Sequence, residues 1–230
     1  MSDDFFMVRN ILISGASRGI GLAIARHLSA QGHRLSLGIR SGQPPADLAQ
    51  HHCFAYDASR GDEEAWLASA RKALGPVDTL VHCAGVLEVV GLLDDFEAPL
   101  ERMLEVNLKA PWRLTRAAWE DLRAHGQGRV ISLVSLSGKR VKGLSAGYSA
   151  SKFAQLALHQ AIRNTGWEDG IRATAICPSW VNTDMAAANC PLEPDTLTQP
   201  DDIAALVDSI LALPNSAVVD EIAVNCRLEP

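Results

Sequence analysis

Tyr148 and Lys152 stand four residues apart in Tyr148-Ser-Ala-Ser-Lys152, one of two tyrosines and one of five lysines in the chain. On a helix that spacing puts phenol and ammonium on one face, within reach of a shared ligand. A free phenol has a pKa of about 10 and moves protons poorly at neutral pH. A neighbouring cation favours the phenolate, so the pair is expected to bring Tyr148 toward the range useful for general acid–base chemistry. An isolated Tyr-Lys pair is more often a plain surface feature; the accompanying residues give this one weight. Ser135 ends an apolar run thirteen residues upstream, in Ser135-Leu-Ser-Gly138. A hydroxyl there can hydrogen-bond a substrate carbonyl and hold it against the phenol. Ser132, inside the run, and Ser137, two residues on, are the rival hydroxyls.

The elements that must position these groups alternate along the chain. Short apolar runs read as strands at Asn10–Ser14, Arg34–Ile39, Cys53–Tyr56, Asp78–Cys83, Arg129–Val134, Ile171–Cys177 and Ala217–Val219. Helical periodicity fills Ile20–Gln31, Asp62–Leu74, Phe96–Ala124 and Ala146–Thr165, with a shorter helix at Asp201–Ala212 opening after Pro200. Strands alternating with crossover helices imply right-handed βαβ units. The expected fold is α/β: a Rossmann-like, doubly wound, mostly parallel seven-stranded sheet with helices on both faces. Residues 1–230 are read as a single dinucleotide-binding and catalytic domain, with no repeat and no linker to divide it. Ligands of such sheets bind at the carboxyl ends of the strands.

The first strand runs into Ser14-Gly-Ala-Ser-Arg-Gly-Ile-Gly21, with glycines at 15, 19 and 21, and then into a helix. The spacing is G-x-x-x-G-x-G, where the usual dinucleotide fingerprint is G-x-G-x-x-G. The physics is shared: glycines allow a tight turn and bring backbone N–H groups and the helix dipole close to a pyrophosphate. Gly15, Ser17, Arg18, Gly19, Ile20 and Gly21 are therefore candidate cofactor-binding residues. The second strand ends at Gly38-Ile39-Arg40 without the acid that would accept from a ribose 2′-hydroxyl. Arg40 and Arg18 can instead make charge-assisted contacts to a 2′-phosphate, each typically netting about 1.5–3 kcal/mol. NADP(H) is expected in preference to NAD(H).

With these motifs in hand, the chain resembles the short-chain dehydrogenases/reductases from the glycine loop to Thr183. His82-Cys-Ala-Gly85 follows the fourth strand where that family usually has Asn-Asn-Ala-Gly, matching at Ala84 and Gly85. The resemblance implies that Asp57 contacts the adenine, and that the Ser135–Tyr148 separation is the catalytic one. It also implies that Asn107, in Glu105-Val-Asn-Leu-Lys109, is the fourth catalytic residue. Pro111 lacks the N–H that would bond the Asn107 carbonyl, which leaves that carbonyl to join a water-mediated proton relay to Lys152. Cys177-Pro-Ser-Trp-Val-Asn-Thr183 is similar to the family's segment beside the nicotinamide, with Ser179 in place of a glycine. There Pro178, Val181 and Thr183 would touch the cofactor. Trp180 is read equally as a wall of the substrate pocket and as a core aromatic.

The implied chemistry is reversible carbonyl reduction: Ser135 fixes the oxygen, Tyr148 is the general acid/base, and Lys152 tunes Tyr148 while holding the nicotinamide ribose. Residues 184–199 would form a short substrate lid. A 3-oxoacyl thioester reductase is an alternative within the class, although the tail Asn225–Pro230 lacks the Asp-Gly-Gly ending of carrier-protein reductases. A non-catalytic NADP(H)-binding redox sensor is the alternative outside it, and it would have no use for Ser135. The family habit implies a homodimer or homotetramer through the two long helices, with Trp112, Trp119 and Trp167 available to an interface.

Composition narrows the partners. Asp and Glu number 27 against 21 Lys and Arg, a net charge of −6, which argues against nucleic acid or anionic membrane as a general partner. No apolar run reaches the roughly 18 residues of a membrane span, and the start MSDDFFMVRN does not read as a secretory signal. Five scattered cysteines without a C-x-x-C pair suit a reduced, cytoplasmic setting rather than disulfides or a metal site. Lys139, Arg140 and Lys142 form a small basic cluster just after Ser135. Its plain reading is a solvated surface; the sharper one is that it draws in an anionic substrate.

Overall fold

In the computed structural model, residues 7–95, 97–142 and 145–227 are described. The expected helix start at Phe96 and the last three residues of the tail, 228–230, lie outside them. Seven strands form one wholly parallel sheet: β1 (Asn10–Ser14), β2 (Arg34–Ile39), β3 (His52–Ala55), β4 (Thr79–His82), β5 (Arg129–Leu133), β6 (Arg172–Pro178) and β7 (Glu221–Val224). Their order is β3-β2-β1-β4-β5-β6-β7, so the winding reverses between β1 and β4. Loops diverge at that point and open a crevice above the carboxyl ends of the strands.

Strand alternation explains why helices cover both faces. Ile11 and Ile13 of β1 point into one fully buried layer, under α1 (Gly19–Ala30) and α7 (Pro200–Leu211). Leu12, between them, points into the other, with Leu80 and Val130 from neighbouring strands. That second layer packs under α2 (Glu63–Leu74), α4 (Ala110–His125) and α5 (Ala146–Gly166). With both faces covered, the central strands read as nearly continuous apolar runs, which is how they announced themselves.

Two elements differ from expectation. The last strand is Glu221–Val224, not Ala217–Val219. The apolar tripeptide lies in the turn before it, where the Val219 carbonyl accepts from Thr174 Oγ1 at 2.6 Å. An edge strand with one partner is only half-buried, so its sequence is less apolar than the turn feeding it. The expected long helix at 96–124 is three pieces: α3 (Glu97–Leu104), a π turn at Glu105–Lys109, and α4. The Ala110 N–H reaches back five residues to the Glu105 carbonyl. Pro111, with no N–H to give, sits where the ladder changes register. Among the described residues no helix is long and apolar enough to cross a membrane.

Candidate active site

The glycine loop nests against the turn after β4. Gly15 has φ +71°, and a Cβ there would fall 2.8 Å from both Cα and N of Ala84. A Cβ on Gly21 would fall 2.3 Å from the Gly15 carbonyl oxygen. Only hydrogen fits at either place. The facing turn is held by Ser14 Oγ, which accepts from the N–H groups of Cys83 and Ala84, each at 3.1 Å. His82 stands behind it, buried and hydrogen-bonded to Thr115 Oγ1 at 2.8 Å; burial pushes its pKa down to about 4, so the ring is neutral. α1 begins at Gly19 with no acid in its first turn and no side chain capping it. Its unsatisfied N–H groups and positive dipole end therefore remain available to an anion. The loop fits a dinucleotide pyrophosphate.

A cleft of about 400 Å³ runs across the carboxyl ends of the strands from Arg40 and Asp57 to Ser135, Tyr148 and Trp180. Gly15, Ser17, Arg18, Gly19, Ile20, Gly21, Ala84 and Gly85 line it, as do Lys152, Pro178, Val181 and Thr183. Trp180 is half-buried and lines the cleft. Thr183 also caps the short α6 (Asp184–Ala187), accepting from the Ala186 N–H at 3.4 Å. Arg18 pairs with Asp184 at 2.9 Å, tying the glycine loop to the start of residues 184–199.

Tyr148 and Lys152 lie on the first turns of α5, both buried, with the ammonium 5.8 Å from the ring centroid. Lys152 Nζ donates to the Leu133 carbonyl at 3.1 Å and to Gln155 Oε1 at 2.7 Å. Both acceptors are neutral, and burial pushes the lysine pKa down to about 8. Tyr148 corrects the expectation drawn from spacing. Burial pushes its pKa up to about 12, and the effect that opposes this is a hydrogen bond with Ser135, not the ammonium. A lysine that is itself poorly solvated and directed at a carbonyl and an amide does little for a phenol beside it. Ser135 lines the cleft, accepting from the Ser137 N–H at 3.0 Å and donating to the Pro178 carbonyl at 3.4 Å. Ser132 is buried within β5, whereas Ser137 reaches the cleft beside Ser135.

Asn107 is fully buried in the π turn, behind the cleft lining. Its Oδ1 accepts from the Val86 N–H at 2.9 Å, while Nδ2 donates to the Val86 carbonyl and to Ser151 Oγ, each at 3.0 Å. Ser151 Oγ in turn donates to the Tyr148 carbonyl at 2.8 Å. The side chain thus clamps the β4 turn to the helix carrying Tyr148. Gln155 escaped the sequence reading; its position three residues beyond Lys152 on a helix was the available signal.

A family model described as short chain dehydrogenase matches residues 9–192. The chain belongs to the short-chain dehydrogenase family. It is 38% identical over 227 residues to agropine synthesis reductase of Rhizobium rhizogenes, covering 95% of this chain and 53% of that one. The chain thus spans about half the length of that relative. It is 30% identical over 183 residues to the 3-oxoacyl-[acyl-carrier-protein] reductase MabA of Mycobacterium tuberculosis, covering 80% of this chain and 73% of MabA. Among solved structures, an alcohol dehydrogenase from Thermococcus sibiricus complexed with 5-hydroxy-NADP superposes with a TM-score of 0.83 at 30% identity, covering 93% and 94% of the two chains. Members of the short-chain dehydrogenase family bind nicotinamide cofactors and act as oxidoreductases.

Proposed function

We propose that this short-chain dehydrogenase is an NADP(H)-dependent carbonyl reductase, working reversibly on a ketone or aldehyde. The supporting observation is that Ser135, Tyr148 and Lys152 line the same cleft as the glycine loop. When bound, the reduced nicotinamide supplies the hydride to the carbonyl carbon. Ser135 Oγ holds the carbonyl oxygen, and Tyr148 transfers its phenolic proton to that oxygen. A phenol held at about 12 stays protonated at neutral pH and is ready to donate. Lys152, with a pKa near physiological pH, returns a proton to the Tyr148 oxygen, and it holds the ribose beside it. The carbonyl of Asn107, in the π turn, takes part in the solvent side of that relay.

The preference for NADP(H) rests on Arg18 and Arg40, which flank the cleft near Asp57 and the glycine loop. Arg18 already pairs with Asp184, but both side chains are largely exposed, and such pairs are worth about 1 kcal/mol or less. A 2′-phosphate can therefore recruit the guanidinium at little cost. The similar alcohol dehydrogenase of Thermococcus sibiricus, complexed with 5-hydroxy-NADP, supports this reading. We assign the homo-oligomer contact to α4 and α5, where Trp112 is 54% and Phe153 43% exposed. Five cysteines without a disulfide suit a cytoplasmic setting.

The test is a screen of NADPH oxidation over ketones, aldehydes, quinones and acyl thioesters, with direct Kd measurements for NADPH and NADH. Turnover of a carbonyl with tighter NADPH binding supports the reading. Cofactor binding without turnover of any class would leave the redox-sensor alternative, and tighter NADH binding would reverse the cofactor assignment.

A further inference from the structure

We propose that the substrate is an anionic carbonyl compound whose carboxylate or phosphate oxygens are held by Arg140 and Lys142. The inference rests on the reductase reading above and specifies the substrate class. The loop that leaves Ser135 passes through one short helical turn at Leu136–Gly138 and then carries Lys139, Arg140 and Lys142. The structure separates these three cations. Lys139 pairs with Glu221 on the edge strand and is not part of the cleft lining. Arg140 and Lys142 line the cleft, as do Ser137, Ser145 and Tyr148. Arg140 is half-buried there.

Among the described residues the cleft's negative charge lies elsewhere. Among the described residues the lining carboxylates are Asp57 and Asp184. Asp57 follows β3 at the far edge of the sheet, where Ser59 and Arg60 engage it. Asp184 pairs with Arg18 of the glycine loop. The end that holds Ser135 and Tyr148 therefore presents Arg140, Lys142 and the deeper Lys152, in a chain whose net charge is −6. A planar guanidinium matches a carboxylate or phosphate with two parallel N–H donors, and Lys142 adds a second charge. Ser137 and Ser145 of the same lining offer hydroxyl donors. Arg140 and Lys142 each have an interaction within the chain already, so a bound anion exchanges partners with them. Selectivity arises because an uncharged substrate has nothing to offer in that exchange. The substrate so defined places its carbonyl oxygen at Ser135 and Tyr148 and its anion toward Arg140.

The experiment compares matched pairs that differ in the charged group: acetoacetate with methyl acetoacetate, levulinate with methyl levulinate, and dihydroxyacetone phosphate with dihydroxyacetone. The anionic member of at least one pair is expected to have the higher kcat/KM, by about tenfold or more, with the gap narrowing as salt is raised. The pair that responds identifies carboxylate or phosphate. Arg140→Gln should lower the anionic-to-neutral ratio by about tenfold, Lys142→Gln should lower it less, and Arg140→Lys should restore part of it. Lys139→Gln, which changes a cation outside the cleft, should leave the ratio where it was. Using a ratio cancels any general loss of folding or chemistry. Equal kcat/KM within every pair, or a ratio that ignores Arg140→Gln, overturns the proposal while leaving the reductase reading intact. If no pair is turned over, calorimetric titration of the NADP+-loaded protein with levulinate and with dihydroxyacetone phosphate still decides the site. Binding of either that weakens about tenfold in Arg140→Gln supports it, and binding of neither, or binding indifferent to that substitution, refutes it.

Discussion

Gln155 Oε1 accepts a hydrogen bond from Lys152 Nζ at 2.7 Å, and both side chains are buried in the first turns of α5. The amide offers a dipole and no charge, so the ammonium keeps its desolvation penalty and its pKa falls to about 8. Supplying a charge should reverse this. Gln155→Glu is expected to raise the lysine pKa and move the basic limb of the kcat–pH profile upward. Gln155→Leu, which removes the acceptor, should move that limb downward. Profiles of kcat against pH for the three proteins check the order, and coincident profiles would deny Gln155 any hold on Lys152.

The same burial has a signature in stability. The Lys152 pKa is depressed in the folded chain from an ordinary value of 10.5 to about 8. Between those values the unfolded chain binds more protons than the folded one, so this lysine's contribution to stability rises with pH. Below about 8 both states are protonated and the desolvation cost is carried in full. Lys152→Met removes the group and the effect. Urea unfolding of wild type and variant should show wild type gaining on the variant between pH 8 and 10, by about 1 kcal/mol or more. A gap that stays constant with pH would contradict the buried-ammonium account.

Both tyrosines are pushed upward by burial, Tyr148 to about 12 and Tyr56 further, beside Glu63. The folded chain should therefore show no phenolate absorbance at pH 10, whereas the urea-denatured chain should show both phenols titrating. A phenolate signal in the folded chain below pH 10, absent from Tyr148→Phe, would restore the tuning that spacing alone suggested.

At Gly21 an added methyl meets a backbone carbonyl, not a yielding side chain. Gly21→Ala is expected to displace the turn between β1 and α1. It should weaken NADPH binding by about tenfold or more and cost about 1–3 kcal/mol of stability. NADPH fluorescence titration and thermal melts measure the two effects. Unaltered cofactor affinity would remove the glycine loop from the cofactor site.

The chain announces its central strands because a sheet covered on both faces needs apolar residues throughout, and β1 and β2 begin and end where their patterns do. The apolar pattern points to 217–219 instead of β7 because an edge strand is half-buried and the turn before it is more apolar. The glycine loop and Ser135, Tyr148 and Lys152 were legible because their spacing is local. The Arg18–Asp184 pair joins residues 166 positions apart, and no local pattern carries such a contact. Pro111 hints at a disturbed helix, but the Asn107 clamp depends on Val86, in the loop after β4, and on Ser151 of α5, both distant in sequence. Spacing alone gives the Tyr148 shift the wrong sign, because an i, i+4 pattern reports a neighbour's charge and not the depth at which both groups lie.

The most direct test of the central claim is Tyr148→Phe, which removes one oxygen and keeps the ring that fills the site. With the best carbonyl found in the NADPH screen, kcat should fall by about a hundredfold to ten-thousandfold, the usual share of a general acid. The Kd for NADPH should stay within about threefold of wild type. Turnover close to wild type in a variant that binds NADPH normally would contradict the assignment of Tyr148 as the proton donor.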